Sequence, residues 1–265
     1  MANNLRIVVL TGSSLPNLHT LATLVSSDLN VVGAVVANQK KYNLNTRYLR
    51  ISLRKQGLMK VLLQIIERIC YKVLNSKKDQ VIFQSIFKKD TILEVINSFK
   101  ENIFYTVNYN DDIVLDWISS KAPDLIVIHT PYWVPKKVRS IVKGNVIGSH
   151  PGITQFYRGI HSPFWAIYNG EIDKIGFSIF WVDGGVDSGD LIFQDRIIPD
   201  SQDSYITLSW KGMALIADSL KDILIKANSI NDLPRIKNAN ITDDTIFYHP
   251  TIIQYIIYRI KYNYR

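Results

Sequence analysis

Two turn-rich stretches of the sequence carry residues that could move a proton. His150 lies in VIGSHPGITQFYRGIHSPFWAIYNG, which spans residues 146–170, and Asp187 lies in FWVDGGVDSGD, residues 180–190. An aspartate beside a histidine stabilises the charged imidazolium and fixes the orientation of the ring, so such a pair suits general acid–base chemistry. An isolated histidine or aspartate is more often structural, but the turns around both residues favour a functional site.

Each stretch contains an apolar, β-branched run of the kind that forms a buried strand. The earlier runs LRIVVLTG (5–12) and NVVGAVVAN (30–38) flank a helix predicted at about 15–26, and this order predicts a parallel sheet. In such a sheet ligands bind beyond the carboxyl ends of the strands, so His150 and Asp187 are expected to converge if their strands are neighbours. The loop TGSSLPN (11–17) matches neither a dinucleotide fingerprint nor a phosphate loop.

Composition limits the class of protein. A chain of 265 residues with 47% apolar residues suits one large α/β domain, or one domain with a small appendage. Cys70 is the single cysteine, which excludes an internal disulfide and a cysteine-based metal cluster, and no metal site is predicted. The N-terminal residues MANNLRIVVLTG lack the features of a signal peptide, and no apolar run reaches the length of a membrane span. We therefore expect a soluble, cytoplasmic protein.

Positive charge is concentrated in one segment. Residues 40–90 contain 13 Lys/Arg and 3 Asp/Glu, whereas the chain as a whole has a net charge of +8. The segment has amphipathic helical character, with apolar residues at helical spacing (Leu58, Val61, Leu62, Ile65, Ile66 and Ile69). A helix packed on the domain, a dimer contact and a membrane-surface contact are all open interpretations. A single basic insertion is weak evidence for nucleic acid, and no nucleic-acid partner is predicted.

The predicted organisation is a catalytic domain over residues 1–200, with a helical insertion at about 42–90, and a helical extension over residues 201–265. A helix is predicted from Ser204 to Asn228. The tail YHPTIIQYIIYRIKYNYR is aromatic and basic, and is expected to be helical after Pro250.

Several motifs together resemble one known family. A strand ending in His-Pro-Gly, then Tyr-Arg-Gly, then Trp-Ala, then a strand leading to Val-Asp-Ser-Gly-Asp, resembles the formyltransferases over residues 124–194. The forms PGIT…YRGIH…FWAI and VDGGVDSGDLI are most similar to the sugar N-formyltransferases. The resemblance implies a Rossmann-like, mostly parallel sheet with helices on both faces. It also implies a cytoplasmic enzyme of surface-glycan or lipopolysaccharide biosynthesis, with 10-formyltetrahydrofolate as formyl donor and a homodimeric assembly.

The resemblance also assigns catalytic residues and exposes one departure. The family uses Asn-x-His and a distant Asp, which correspond to His150 and Asp187, but Gly148 stands where the Asn is expected. Because alternate residues of a strand share a face, Ser149 points away from the face of His150 and replaces the Asn only if the strand has already turned. His150 with backbone amides, Ser149 or another group in that role, and loss of formyl transfer all remain open.

Gly148 itself permits two interpretations. The missing side chain leaves space for an ordered water or for a hydroxyl such as that of Ser149 or Ser162. Alternatively, glycine permits close packing of a neighbouring strand or a bulge.

Both ligands are assigned positions by the resemblance. The pterin of the folate is expected between HTPYWVP and the backbone of WVDGGVD, with contacts from Tyr132, Trp133, Val182, Asp183 and Gly184. The acceptor is expected against Tyr157, Arg158, His161 and Trp165. Arg158 is equally well interpreted as an anchor of its loop, and Trp165 as a core residue.

The acceptor is expected to be an amino sugar linked to a nucleotide. About 65 residues follow the GDLIFQD strand and much of that stretch is predicted as helix, which disfavours the basic β-domain that methionyl-tRNA formyltransferase uses for tRNA. Purine biosynthesis is disfavoured by the basic insertion and the aromatic tail. The competing hypotheses are a folate-binding protein without catalysis and a hydrolase that deformylates the same folate.

Overall fold

A seven-stranded sheet forms the centre of the molecule and has the strand order β3-β2-β1-β4-β5-β7-β8. The computed structural model describes residues 5–38, 53–239, 242 and 245–263. Strands β1 to β5 pair in parallel, whereas β7 is antiparallel to both β5 and β8. The strands are β1 Ile7–Gly12, β2 Val31–Ala37, β3 Ile103–Thr106, β4 Leu125–His129, β5 Val146–His150, β6 Arg158–Gly159, β7 Gly176–Trp181, β8 Leu191–Arg196 and β9 Ile246–Phe247.

Helices cover both faces of this sheet. They are α1 Leu15–Val25, α2 Leu58–Ile86, α3 Lys89–Ser98, α4 Asp112–Ser120, α5 Lys136–Ser140, α6 Ser162–Tyr168, α7 Tyr205–Lys226 and α8 Ile252–Asn263. One core layer joins α1, α3, α6, α7 and α8 to the face that carries Val9, Val127 and Ile147. The other layer joins α4 and α5 to the face that carries Val8, Ile126 and Val146. The predicted α/β class, the mostly parallel sheet and the helices on both faces are therefore confirmed.

Strands β1 and β4 show why apolar runs form the middle of such a sheet. Every residue of β1 is buried, and β4 is buried except at Ile128. Strands covered on both faces read as continuous apolar runs rather than as alternating patterns, as in IVVLTG and LIVIH. None of the described helices is long and apolar enough to cross a membrane.

Helix α2 contains most of the described part of the predicted insertion, and residues 39–52 lie outside the described residues. It packs on α7 and α8. Its buried side chains are Val61, Gln64, Glu67 and Asp79, so it is largely the polar side of the helix that faces the protein. The apolar residues predicted to pack on the domain lie in solvent instead, with the exception of Val61.

Polar partners explain this orientation of α2. Tyr205 donates a hydrogen bond to Glu67 Oε1 (2.8 Å). The Tyr71 hydroxyl donates its one proton to the carboxylate of Asp79 and accepts from Ser204 Oγ (2.6 Å). Burial raises the pKa of Glu67, and the hydrogen bond from Tyr205 opposes this shift. The contacts sit at the start of α7, where Ser204 and Thr207 form a capping box.

The C-terminal segment returns to the body of the protein. Strand β9 pairs in parallel with β6, and the helix predicted after Pro250 is present as α8. Helix α7 corresponds to the helix predicted from Ser204 to Asn228, and it contributes Leu208, Ile216 and Leu220 to the same core as the sheet. The division into a domain ending at residue 200 and an extension stays a prediction.

Candidate active site

A cavity of about 650 Å³ opens at the carboxyl edge of the sheet, where β4 and β5 end. It is lined by His150, Asp187 and Ser149, together with Gly148 and the loop after β7. The predicted residues Tyr132, Trp133, Val182, Asp183 and His161 also line it. Gly184 lies in the same loop but is not a lining residue, and neither are Tyr157, Arg158 and Trp165.

His150 and Asp187 meet as predicted, but β7 is antiparallel to β5, so it is the loop after β7 rather than the end of that strand that carries Asp187 to His150. Nδ1 of His150 lies 3.4 Å from Oδ2 of Asp187, and the two side chains are 9% and 25% exposed. Asp187 has a φ of 50°, which is unusual for a residue other than glycine and marks a held backbone conformation. This geometry fixes the carboxylate beside one edge of the imidazole ring.

The other edge of the ring is held by Ser162. Nε2 of His150 lies 2.8 Å from Oγ of Ser162, whose hydroxyl donates to the carbonyl of Tyr157 at 3.0 Å. Because a hydroxyl has one proton to donate, Ser162 accepts a hydrogen bond from the Nε2–H of His150. A Cβ at Gly152 would overlap the side chain of Ser162, so glycine in the His-Pro-Gly turn makes this contact possible.

Asp183 has a different task from Asp187. Its Oδ1 accepts hydrogen bonds from the backbone N–H of Gly185 (2.8 Å) and from Ser188 Oγ (2.7 Å). The Arg139 guanidinium donates to its carbonyl oxygen. Asp183 therefore shapes the loop, while Asp187 reaches the histidine.

The space beside Gly148 is occupied by neighbouring side chains. A Cβ at this position would lie 2.9 Å from both Phe180 Cε2 and Val182 Cγ2. Ser149 points to the other side and makes a 2.7 Å hydrogen bond with His129 Nδ1, and Ser162 is committed to His150. The expectation that a hydroxyl from either serine enters this space is wrong, and the geometry favours the close-packing interpretation.

One half of the cavity, which we call the apolar half, is lined by Ile128, Tyr132, Trp133, Val134, Phe180 and Val182. Trp133 is 63% exposed, and Arg139 lies over its ring at 5.9 Å. Flat apolar walls of this kind, beside the backbone of a loop, suit an aromatic heterocycle with polar edges.

The polar side chains among the other lining residues, which we call the polar half, are those of Asn17, His129, Ser149, His161 and Ser209. Two of its atoms are buried without a hydrogen-bond partner, Nδ2 of Asn17 and Nε2 of His129. Burial lowers the pKa of His129 to about 4, with a further contribution from His19, so the ring is neutral at neutral pH. Unpartnered buried polar atoms are costly and are commonly satisfied by a bound molecule.

His161 has a histidine as its partner. Its Nε2 lies 3.1 Å from Nδ1 of His249 on the C-terminal segment. Burial lowers the pKa of His161 to about 3, with smaller contributions from His249 and Arg68. Burial, followed by Arg68, lowers the pKa of His249 to about 4. The pair is therefore uncharged at neutral pH.

Three residues predicted at the acceptor are structural. Tyr157 is 2% exposed and donates to the carboxylate of Glu171. Arg158 is 3% exposed and donates to Thr245 Oγ1 (2.8 Å), to the carbonyl of Val186 (2.9 Å) and to that of Thr242. Trp165 donates to the carbonyl of Tyr248 at 3.0 Å. The expectation that they line the cavity is therefore wrong, whereas the anchor and core interpretations describe Arg158 and Trp165 correctly.

Sequence reasoning missed Asn17 and His129. Asn17 lies in the first turn of α1, and His129 ends β4. His129 was visible as a polar residue at the end of the apolar run DLIVIH, which is a position where ligands are bound in parallel sheets. The signal for Asn17 is weaker, since TGSSLPN fits no phosphate or dinucleotide motif.

The chain belongs to the formyl transferase family, whose model matches residues 5–215. The GDP-perosamine N-formyltransferase of Brucella melitensis is 30% identical over 105 residues, which cover 39% of this chain and 40% of that protein. The methionyl-tRNA formyltransferase of Ehrlichia canis is 35% identical over 137 residues, covering 51% and 43%. The chain thus spans less than half the length of these curated relatives.

A solved structure extends the similarity in fold over nearly the whole chain. A sugar N-formyltransferase from a Shewanella species aligns with 97% of this chain and 87% of its own, with a TM-score of 0.55 and 12% identity. This similarity, together with the family match, confirms the expected fold. Enzymes of this family generally use formyl-tetrahydrofolate donors.

Proposed function

We propose that the protein transfers the formyl group of 10-formyltetrahydrofolate to the amine of an amino sugar carried on a nucleotide. The observation that carries this proposal is the division of one cavity into an apolar half and an uncharged polar half, with His150 and Asp187 at its wall. The match to a GDP-perosamine N-formyltransferase supports the acceptor class, while the match to a methionyl-tRNA formyltransferase makes tRNA the acceptor to test against it.

His150 and Asp187 are suited to the charge that formyl transfer creates. The acceptor nitrogen attacks the formyl carbon, which places negative charge on the formyl oxygen, and donors aimed at that oxygen lower the barrier. His150 supplies such a donor when its Nε2–H exchanges the Ser162 hydroxyl for the formyl oxygen, while Asp187 orients the ring from the side of Nδ1. As the new C–N bond forms and the bond to the donor nitrogen breaks, the amine loses a proton and the leaving nitrogen gains one, a transfer that this pair can relay.

The apolar half of the cavity fits the donor. The aromatic rings of Tyr132 and Trp133 and the side chains of Phe180 and Val182 provide flat walls for a pterin. Backbone groups of residues 183–187 lie at its border and offer polar contacts. The packing of Phe180 and Val182 onto Gly148 fixes the position of this wall.

The polar half fits a neutral, hydroxyl-bearing ring. His129 and Asn17 each present an unpartnered nitrogen there, and His129 and His161 are neutral at neutral pH. Among the described residues that line the cavity, Arg139 is the only Lys or Arg, and it sits at the apolar half. A phosphate of the acceptor is therefore expected outside the cavity, with the sugar ring inside.

A comparison of acceptors tests the proposal. The purified protein is mixed with 10-formyltetrahydrofolate and, in separate reactions, with GDP-perosamine, glycinamide ribonucleotide, methionyl-tRNA or no acceptor, and the formylated product is measured by mass spectrometry. Formylation of the amino sugar alone is the expected result. Formylation of methionyl-tRNA or of glycinamide ribonucleotide alone would overturn it, as would release of formate without an acceptor.

A variant tests the polar half separately. His129→Phe keeps a flat ring but removes Nε2 and also Nδ1, which is hydrogen-bonded to Ser149, so KM for the sugar should rise about five- to tenfold, the worth of one or two neutral hydrogen bonds. KM for the donor should stay unchanged. An equal rise in both constants would mean that His129 supports the whole cavity rather than the acceptor.

A further inference from the structure

Helices α2 and α8 share an exposed apolar face that the proposed reaction does not use. On α2, Leu58, Met59, Leu62, Ile66, Ile69, Val73 and Leu74 are 45–77% exposed. On α8, Ile253, Ile256 and Ile260 are 53–57% exposed. Leu74 and Cys70 line a groove with Ile256 and Ile260, so the two sets are contiguous. We call this surface the α2–α8 face.

The orientation of α2 makes this exposure a property of the fold. The helix docks through Gln64, Glu67 and Tyr71, whose partners are the carbonyl of His249, Tyr205 and Ser204. Its inward side is thus fixed by specific hydrogen bonds, and the apolar residues that a globular protein normally buries point outward. Contiguous exposed apolar patches of this kind mark surfaces that bind a partner or a membrane.

The charges on the face have a single sign. The acidic residues of α2, Glu67 and Asp79, are both buried, whereas its exposed charged residues are all basic (Lys60, Arg68, Lys72, Lys77 and Lys78). Helix α8 has Arg259 and Lys261 and no acidic residue. A partner of the α2–α8 face must therefore accept apolar side chains at the centre and positive charge around them.

We propose that the α2–α8 face docks the protein onto a bilayer surface that carries anionic headgroups, with α2 lying in the plane of the surface. Helices with one apolar side, basic flanks and low overall hydrophobicity bind at such interfaces. A second copy of the chain fits less well, because a twofold contact through this face would place its basic residues near one another. The docking holds the cavity close to a membrane and leaves the chemistry unchanged.

Vesicle co-sedimentation tests the proposal with the full chain. Vesicles of phosphatidylglycerol and phosphatidylcholine should pull down the protein, and phosphatidylcholine alone should not. Ile66→Ser/Ile69→Ser should abolish sedimentation, and Lys72→Glu/Lys77→Glu should weaken it by about fivefold or more per residue. Ile198→Ser is the matched control, since Ile198 is 90% exposed outside the face, and it should bind like the wild type.

Light scattering on the same proteins tests whether a second copy of the chain, rather than a bilayer, covers the α2–α8 face. If the double isoleucine variant changes from dimer to monomer while wild-type protein does not bind anionic vesicles, the face is a contact between copies and the proposal is overturned. Equal sedimentation of the double variant and the control would also overturn it. Formyl transfer to a soluble acceptor should be the same in all these variants.

Discussion

Introducing a side chain at Gly148 should destabilise the protein and weaken donor binding. In Gly148→Ala the new Cβ lies 2.9 Å from Phe180 Cε2 and from Val182 Cγ2, whereas carbon atoms pack best at about 3.5–4.0 Å. Overpacking of this kind costs about 1–3 kcal/mol, and the removal of a strand glycine returns about 0.5–1 kcal/mol. The net loss is therefore at most about 2.5 kcal/mol, with a midpoint of about 1 kcal/mol, and this midpoint corresponds to a Tm lower by about 2–4 °C in a chain of this size. Gly148→Asn should lose more, because its amide extends further into the same wall.

Thermal melts and steady-state kinetics measure the two effects. Phe180 and Val182 line the apolar half, so their displacement should raise KM for the folate donor as Tm falls. Gly184→Ala is the control, since a Cβ at Gly184 has no atom within 4 Å, and its Tm should match the wild type. Val182→Ala combined with Gly148→Ala removes one of the two contacts and should recover part of the loss.

Two results would refute this reasoning. If Gly148→Ala and Gly184→Ala have the same Tm, Phe180 and Val182 do not clash with a side chain at residue 148. If Gly148→Asn keeps the wild-type Tm and raises turnover, the space is available and the missing amide is a lost catalytic donor that the variant restores.

The remaining predictions concern proton transfer, anchoring and pH. His150→Ala should lower turnover by about 10²–10⁴-fold in single-turnover assays while the circular dichroism spectrum is kept, and wild-type-like turnover would remove His150 from the mechanism. Asp187→Asn keeps the size of the side chain but removes its charge, so turnover should fall at least about tenfold with little change in Tm. Arg158→Lys cannot reach three acceptors and should cost about 2–4 kcal/mol in urea denaturation, and a loss below half that range would contradict the anchor role. Folding lowers the pKa of His161 and His249, so the unfolded chain binds more protons than the folded one between about pH 6.5 and pH 4. Tm should therefore be highest above this pH range and fall as the pH drops through it. A Tm that does not change with pH in this range would contradict the lowered pKa values.

The sheet could be predicted because each of its central strands is recognisable from a short stretch of sequence. The strands around Val9, Val127 and Ile147 are apolar runs bounded by turns, and burial on both faces leaves no alternative pattern. The meeting of His150 with Asp187 was also predicted, but for an incomplete reason, since β5 and β7 are antiparallel and the loop after β7 brings Asp187 to the end of β5. Formyltransferase motifs in the two loops supplied the rest of that expectation.

The orientation of α2 could not be predicted, because it depends on distant partners. The spacing of Ile65, Ile66 and Ile69 identifies an apolar side, but periodicity does not say which side docks. Glu67 faces inward since Tyr205 can satisfy it, and Tyr71, which satisfies Asp79 within the helix, contacts Ser204; both Tyr205 and Ser204 lie far along the chain. The same limit applies to Arg158, whose acceptors at Thr242 and Thr245 belong to the C-terminal segment.

The pairing of β6 with β9 sets an order of events during synthesis. Arg158 joins the loop of Val186, next to Asp187, to residues that leave the ribosome more than eighty positions later. The hydrogen bond between His161 and His249 likewise forms only after His249 has been synthesised. A chain still being translated can form the parallel strands early, since domains assemble from the N-terminal side. It cannot complete the hydrogen bonds around the polar half of the cavity until the segment around β9 has emerged, so we expect the site to reach its final form only after His249 has left the ribosome.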